Sequence, residues 1–429
     1  METGVDGVFL KGFRRIVLGV AAVVALSGCG KSGESEMWAD RFLGGRQGVA
    51  TAFGVAAVGT AGGGSGVPQA VTAEGGTDIN QPPKPQVTLV MVGDVLLHTR
   101  VAESGENEDG EYDFTAVFDP VREEIQAADL ALVNQEVIIG GKELGVSGYP
   151  AFNAPYELGD ALVEAGFDVV LHATNHALDK GKKGILKCLA FWQENHPRTA
   201  VLGIHGSEAQ SGEVYVYEQA GIKIAILNYT YGTNGIPMPK DMPYAVDMLD
   251  KDRVAADLRL AGEMADFVVV CPHWGTEYTL EATGKQKSWA EFFAENGADL
   301  VLGTHPHVIE PIEWVGDDGE TLVYYSLGNF VNWTSGTGKG VANRMVGGMA
   351  RVTIGLDETG KAVIEAYDVE PLVCHVEQGF GGVKVYPLDE YTQELAERNE
   401  IVGQDGDFSL EYCRSLVEEV FGTAAGDGR

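Results

Sequence analysis

The sequence predicts an α/β sandwich with mixed sheets. Two observations carry the assignment: from about residue 86 onward, short β-branched runs alternate with amphipathic helical stretches, and several of those runs end in residues able to bind metal ions. A 45% share of hydrophobic residues over 429 positions supplies enough apolar material for a real core, which excludes global disorder.

Taken in order, the chain opens with what reads as an export signal. Lys11, Arg14 and Arg15 form a basic start, and residues 16–26 are an apolar run too short to span a bilayer. The run ends in Leu26-Ser27-Gly28-Cys29, which is similar to a bacterial lipobox, so residues 1–29 are expected to be a lipoprotein signal peptide with Cys29 as the lipidated residue. The protein is then expected to be extracytoplasmic and lipid-anchored to the cell membrane. Residues 30–85, rich in Gly and Ala and closed by Gln81-Pro82-Pro83-Lys84-Pro85, read as a flexible tether.

Residues 87–92 form a buried-strand candidate ending at Gly93-Asp94, residues 130–133 end at Asn134-Gln135-Glu136, and residues 169–171 end near Asn175-His176. Residues 267–271 lead to Pro272-His273-Trp274-Gly275, and residues 300–302 to Gly303-Thr304-His305-Pro306-His307. Helical patterns fall at 157–165, 184–194, 254–264 and 286–296. Two pairs read as antiparallel: 214–217 with 222–227 about Gly221, and 349–354 with 362–369 about residues 357–360. The expected organisation is a main domain over residues 86–335, a β-rich completion of the sandwich over 336–390, and a helical tail over 391–429 with a frayed end.

With 63 acidic and 30 basic residues the formal charge is −33, a field that repels phosphate backbones, so nucleic acid is excluded as a partner. Cys188, Cys271, Cys374 and Cys413 form no CxxC pair, and Cys271, at the end of an apolar run, suits a small buried thiol.

The five strand ends hold Asp94, Glu136, Asn175 with His176, His273, and His305 with His307. In an α/β sandwich, residues beyond the carboxyl ends of strands converge on one rim, so these stretches can share a cavity. Carboxylate, amide oxygen and imidazole together suit Zn, Mn or Fe, and a bridging carboxylate would hold two such ions ~3.5 to 4 Å apart. Singly, each has a duller role. Asp94 and Asn175 could cap helices, Glu136 could be solvated, and His273 could be a hydrogen-bonded core histidine. Recurrence after successive apolar runs is what favours a shared metal site. His172, His196, His205 and His375 fall outside the pattern and are taken as structural or surface residues.

Gly93-Asp94, Asn134-x-Glu136, Thr174-Asn175-His176, His273-Trp274-Gly275 with Glu277-Tyr278, Gly303-Thr304-His305-Pro306-His307 and Tyr325-Ser326-Leu327-Gly328-Asn329-Phe330 occur in the order in which they resemble the bacterial capsule-synthesis CapA (PGA_cap) family. The resemblance places the chain among calcineurin-like metallophosphoesterases and implies a two-sheet β-sandwich flanked by helices, four layers in all. It further implies that Asp94 and His307 bind a first metal ion, that Glu136 bridges, that Asn175, His273 and His305 bind a second, and that His176 is the acid beside the leaving group. Two positions depart from the superfamily pattern: Leu96 stands where a histidine is usual, with His98 as the substitute ligand, and Glu136 replaces an aspartate. Trp274, Glu277 and Tyr278 could line a substrate groove, although aromatics beside a strand end more often serve packing, and Asn329 could join the rim or simply satisfy a turn.

The resemblance implies poly-γ-glutamate, or a related envelope polymer, as partner, in capsule biosynthesis, export or retention. One reading is a hydrolase using metal-activated water; the other is a non-catalytic polymer-handling subunit supporting a membrane-bound synthase. At −33 the chain should repel a polyanion unless divalent ions or a basic patch intervene; Arg100, Lys285, Lys287 and Arg344 are the basic residues near the motifs.

Overall fold

Every residue of Leu130–Asn134 and Val169–Leu171 is buried, as in strands covered on both faces. These are β2 and β3 of a computed structural model that describes residues 84–379 and 381–422. The expected signal peptide with Cys29, nearly all of the 30–85 tether, and the last seven residues of the tail lie outside the described residues.

In chain order the strands are β1 (Gln86–Val95), β2, β3, β4 (Ala200–Leu202), β5 (Tyr215–Gln219), β6 (Ile222–Thr230), β7 (Phe267–His273) and β8 (Leu300–Leu302). They continue with β9 (Ile309–Val315), β10 (Thr321–Leu327), β11 (Asn329–Val331), β12 (Val346–Leu356), β13 (Ala362–Val376) and β14 (Val383–Pro387). One sheet runs β14-β13-β12-β1-β2-β3-β4, with β11 pairing to the end of β1; the other runs β5-β6-β7-β8-β10-β9. Both sheets are mixed: in the first, β1 to β4 are parallel out to the β4 edge and the antiparallel strands β12 to β14 lie on the other side, whereas in the second the parallel strands β6, β7, β8 and β10 lie between antiparallel β5 and β9.

Period-two alternation sorts the second sheet's side chains between two layers. Ile224, Ile226, Val269, Leu300 and Leu302 join Leu89, Met91 and Leu132 of the first sheet in one large apolar cluster. Their neighbours Ala225, Leu227, Val268, Val270 and Val301 form a second cluster with Val254, Leu258 and Ala261 of the helix Lys251–Met264 and with Trp289 and Phe293 of the helix Gly284–Glu295. Helices Tyr156–Ala165 and Gly181–Asn195 add Leu158, Leu162, Ile185 and Phe191 to the first cluster. The result is the expected two-sheet sandwich flanked by helices.

The helix boundaries have local causes. Lys251–Met264 starts three residues ahead of the apolar pattern because Asp250 accepts from the Arg253 amide. Gly284–Glu295 likewise starts at a capping box in which Thr283 and Gln286 satisfy each other's backbone amides. The β5–β6 hairpin turns through Ala220 and Gly221 at φ of 53° and 79°, the doubly left-handed turn that matches strand twist. After β11 the chain returns through β12, which runs antiparallel to β1 from Gln86↔Gly355 to Val92↔Met349. The tail contributes helices Gln393–Arg398 and Leu410–Val420. Among the described residues no helix is long and apolar enough to cross a membrane, and Cys188, Cys271, Cys374 and Cys413 are all buried and unpaired.

Candidate metal centre

The carboxyl ends of the parallel strands bring Asp94, Glu136, Asn175, His176, His273, His305 and His307 together, each at most 6% exposed. Asp94 sits at the end of β1, where its Oδ1 accepts from Asn134 Nδ2 at 2.7 Å and its Oδ2 from the His305 amide at 3.2 Å. His307 Nδ1 lies 3.3 Å from Asp94 Oδ2. Across the site, His273 Nε2 meets Asn175 Oδ1 at 3.0 Å. Glu136 stands between these groups, with its Oε1 at 3.7 Å from His273 Nε2, 3.7 Å from His307 Nε2 and 3.9 Å from His176 Nε2. Ligand atoms of Glu136, His305 and His307 all lie within 4.8 Å of one another.

Backbone geometry makes this convergence possible. A Cβ on Gly93 would sit 2.0 Å from the Gly328 carbonyl, which accepts from the Asp94 amide at 3.0 Å, so glycine is required for β11 to lie against β1. Register then sets Asn329 opposite Asp94. Among the described residues five non-glycine positions have positive φ, and four are at or beside the site: Asn234 at 51°, Tyr278 at 65°, His305 at 102° and His307 at 59°. Strain of this kind persists where surrounding contacts over-determine it, as at functional sites.

The electrostatics match a site short of positive charge. Of nine buried side-chain polar atoms without a partner among the described residues, four belong here: Asn134 Oδ1, both Glu136 oxygens and His305 Nδ1. Burial pushes the Glu136 carboxyl well up; His307 pulls it back and the Asp94 charge adds to the rise. Burial alone would lower His307, yet Glu136 and Asp94 hold it up to about 9. His273 and His305 are pushed well below the usual range by burial and then by neighbouring imidazoles, which leaves them neutral with lone pairs available. A divalent cation would satisfy the carboxylates and the neutral imidazoles together, so the donor set fits one.

Positioning groups surround the set. His176 Nδ1 bonds Asp179 Oδ2 at 2.7 Å, which orients the ring with Nε2 toward Glu136, and the ring meets Phe152 edge-on at 4.7 Å. Asn234 touches His176 at 3.4 Å and accepts from Asn175 Nδ2 at 3.3 Å. Asp179, Asn234 and Asn134 escaped the sequence reading as site residues. Asp179 lies three residues after His176 in the turn that precedes the helix Gly181–Asn195, and Asn134 sits within the quoted strand-end motif, whereas Asn234-Gly235 carries only a turn signal.

Several expected roles change. His98 is not among the converging ligands; it is the N-cap residue of the short helix Thr99–Gly105, and its ring packs 5.2 Å from Phe152. Burial, then His307, His176 and Arg344, depress it to about 4. Leu96 is buried in the apolar core. Trp274 is chiefly a packing residue: it is 2% exposed in the second cluster, with Nε1 donating to the Tyr325 carbonyl at 2.9 Å, and it borders a small cavity of about 30 Å³ with Tyr231 and Trp289. Asn329 is committed to positioning, since its Oδ1 pairs with His307 Nδ1 at 3.1 Å while its Nδ2 donates to the His307 and Arg344 carbonyls. Glu277 is exposed, and Tyr278 stands at the rim with its ring 6.0 Å from that of His307.

Residues 88–334, more than half of the chain, match the family model described as bacterial capsule synthesis protein PGA_cap. The chain belongs to that family. It is 33% identical over 177 residues to the PGA biosynthesis protein CapA of Bacillus subtilis strain 168, covering 40% of this chain and 45% of that protein. It is 29% identical over 262 residues to the capsule biosynthesis protein CapA of Bacillus anthracis, covering 58% of this chain and 61% of that one. The matches thus span about half the length of these curated relatives. Among solved structures, a 5'-nucleotidase precursor from Thermus thermophilus aligns at 15% identity with a TM-score of 0.41, covering 67% of this chain and 54% of that one. The NAD nucleotidase of Haemophilus influenzae aligns at 14% identity with a TM-score of 0.40, covering 78% and 66%. Likeness at these scores carries no argument for this PGA_cap member; its architecture rests on its own strand pairing and burial.

Proposed function

We propose that this PGA_cap protein is a metal-dependent hydrolase acting at the cell surface in poly-γ-glutamate capsule synthesis, export or retention, anchored through Cys29. The observation that supports the chemistry best is Glu136, a fully buried carboxylate with neither oxygen hydrogen-bonded and three imidazole nitrogens within 3.9 Å. Such a group is costly unless a cation meets it. Asp94 and His307 would hold one divalent ion, Asn175, His273 and His305 another, and Glu136 would be shared. Bound divalent ions supply Lewis-acid polarisation and acidify water toward neutrality. The chain's own groups do the rest. Asn134 fixes the Asp94 carboxylate, Asn329 fixes His307, and Asp179 holds the His176 ring at Nδ1 so that its Nε2 faces the site, placed to hand a proton to the leaving oxygen or nitrogen. The name of the Bacillus subtilis relative, a PGA biosynthesis protein, supports that polymer as the one handled; hydrolysis of its γ-amide and of a phosphoester are the two chemistries the ligand set serves. Synthase subunits in the membrane are the expected partners.

A non-catalytic polymer-handling role draws on one specific observation: Leu96 is buried where the superfamily usually has a histidine, and His98 packs on Phe152 instead of joining the ligands. The two readings separate cleanly. Purified without chelator, the full chain is expected to carry about two divalent ions by elemental analysis and to hydrolyse a generic phosphodiester or γ-linked glutamate oligomers. His176→Ala should abolish turnover at unchanged metal content. A metal-free, inert protein would establish the handling role instead.

A further inference from the structure

The second sheet sends one more strand end to the centre than the sequence reading counted. Residues 222–227 read as a strand that closes with its apolar run, yet β6 continues through Asn228 and Tyr229 to Thr230. Asn228 explains the difference. It is buried, its Oδ1 accepts from the Ala173 amide at 2.8 Å and its Nδ2 donates to the Cys271 carbonyl at 2.8 Å, so a polar residue inside β6 ties it to β7 and to the segment after β3. Register pairs Thr230 with His273, and the Tyr231 amide donates to the His273 carbonyl at 3.0 Å. The first residue beyond β6 is therefore held against the backbone of a candidate ligand, at the carboxyl ends of the parallel strands like the others.

The Tyr231 ring stands 4.6 Å from that of His305, and unlike the buried ligands Tyr231 is 37% exposed. The groups acting on its hydroxyl include the Glu277 and Glu136 carboxylates and the Asn175 amide, which hydrogen-bonds it. Asn175 also donates to Asn234 Oδ1 at 3.3 Å, and Asn234 touches His176 at 3.4 Å. One wall of the centre is thus a continuous row of Tyr231, Asn175, Asn234 and His176, with a phenol at one end and an imidazole at the other. The loop that carries Tyr231 and Asn234 is pinned from within: Thr230 Oγ1 donates to the Gly232 carbonyl at 3.0 Å, and Thr233 Oγ1 to that of Ile236 at 2.7 Å. Tyr278, whose ring approaches His307, is engaged otherwise, with Arg344 3.5 Å over its ring and Glu277 bonded to its hydroxyl.

We infer that Tyr231 is a further catalytic residue of the proposed hydrolase: its phenol O–H donates a hydrogen bond to the substrate oxygen on which charge gathers as water adds to the adjoining carbon or phosphorus. The inference rests on the hydrolase reading. In that step a water oxygen, having given a proton to solvent, bonds to the electrophilic atom and an electron pair moves onto the oxygen that stays attached. Tyr231 meets that pair and keeps its own proton. When the pair returns, the bond to the leaving oxygen or nitrogen breaks, and the leaving atom takes its proton from His176 at the other end of the wall. A phenol suits the place because it is a neutral donor at ordinary pH. A lysine or arginine there would pair with Glu136 or Glu277 and compete with the cation that the carboxylates await.

The test compares the parent with Tyr231→Phe, which keeps the ring against His305 and removes only the hydroxyl. Both manganese-loaded full chains are assayed on a nitrophenyl phosphodiester and on γ-linked glutamate oligomers. Each substrate is also supplied with sulfur, a weak acceptor, in place of the oxygen that gathers charge. The expected result is a kcat lowered about ten- to a hundredfold with KM held within about twofold, and a sulfur penalty smaller in the variant than in the parent, which alone has the donor to lose. Inorganic phosphate, a tetrahedral anion that needs no turnover, should bind the variant several-fold more weakly by calorimetry, at unchanged metal content and unfolding midpoint. Unchanged kcat and phosphate affinity in Tyr231→Phe overturn the role of Tyr231 while the hydrolase reading stands. A lower kcat that comes with lost metal or a lower midpoint also overturns it, since the hydroxyl then serves the structure of the ligand set. A metal-loaded parent that turns over neither substrate overturns the hydrolase reading and the role of Tyr231 with it.

Discussion

At the scale of single residues, Glu136 and Glu310 are both buried carboxylates with contrasting consequences. Glu136→Gln removes an uncompensated charge while keeping the shape. In chelator the variant should therefore unfold at a higher temperature than the parent, yet elemental analysis should find its metal content reduced. A lower midpoint in chelator would mean that the charge is already compensated within the protein. Glu310 accepts from Gln286, and burial pushes its carboxyl from the ordinary 4.5 up to about 8. The folded protein then holds this proton across a window in which the unfolded chain releases it. Its contribution to stability is complete below pH 4.5 and is lost as pH rises toward 8. Glu310→Gln should shrink the difference between denaturation midpoints measured at pH 5 and pH 8; an unchanged difference would show that Glu310 does not titrate in that window. The sequence made the residues of the candidate metal centre legible because each follows an apolar run. Asn234 acts from another segment through side-chain geometry, which no local pattern encodes, whereas Asp179 stands only three residues from His176.

At the scale of elements, the parallel strands were legible from their apolar runs, and their carboxyl ends are why the ligands meet. The return of the chain along β1 was less so. β11 is three residues long, too short for periodicity to register, yet it sets Asn329 beside Asp94 and requires glycine at 93. Gly93→Ala should push β11 from β1, at a cost of roughly 1–3 kcal/mol in chemical denaturation and with weakened metal retention. Full stability and full metal content in that variant would show that the 2.0 Å approach relaxes freely. His98 illustrates the opposite error. Counting residues from Asp94 places it near the ligands, but the chain enters a helix there and His98 becomes its N-cap residue.

At the scale of the whole molecule, the candidate ligands run from position 94 to 307 and come from both sheets, so a metal ion bound there should report on global stability. Adding manganese to chelated protein should raise the unfolding midpoint progressively, by about 2.7 kcal/mol of stability at a hundredfold excess over the dissociation constant. A midpoint indifferent to manganese would mean that the site does not bind it. The surplus of acid was legible from composition, and the sequence reading named Arg344 among the nearby basic residues; its contacts with Thr334 and the Tyr278 ring depend on tertiary packing, which no local pattern encodes.

The pairing of β1 with β12 also governs timing. Synthesis reaches β12 only after every residue of the candidate metal centre has been made, and until then β1, with Val87 to Val95 almost entirely buried in the finished fold, presents an open edge on that side. An exposed apolar edge is an invitation to pair with another chain. The interval between delivery of His307 and delivery of Leu356 is therefore when a nascent chain has most need of a holding chaperone, and a message truncated within it yields an aggregation-prone product instead of a smaller working protein.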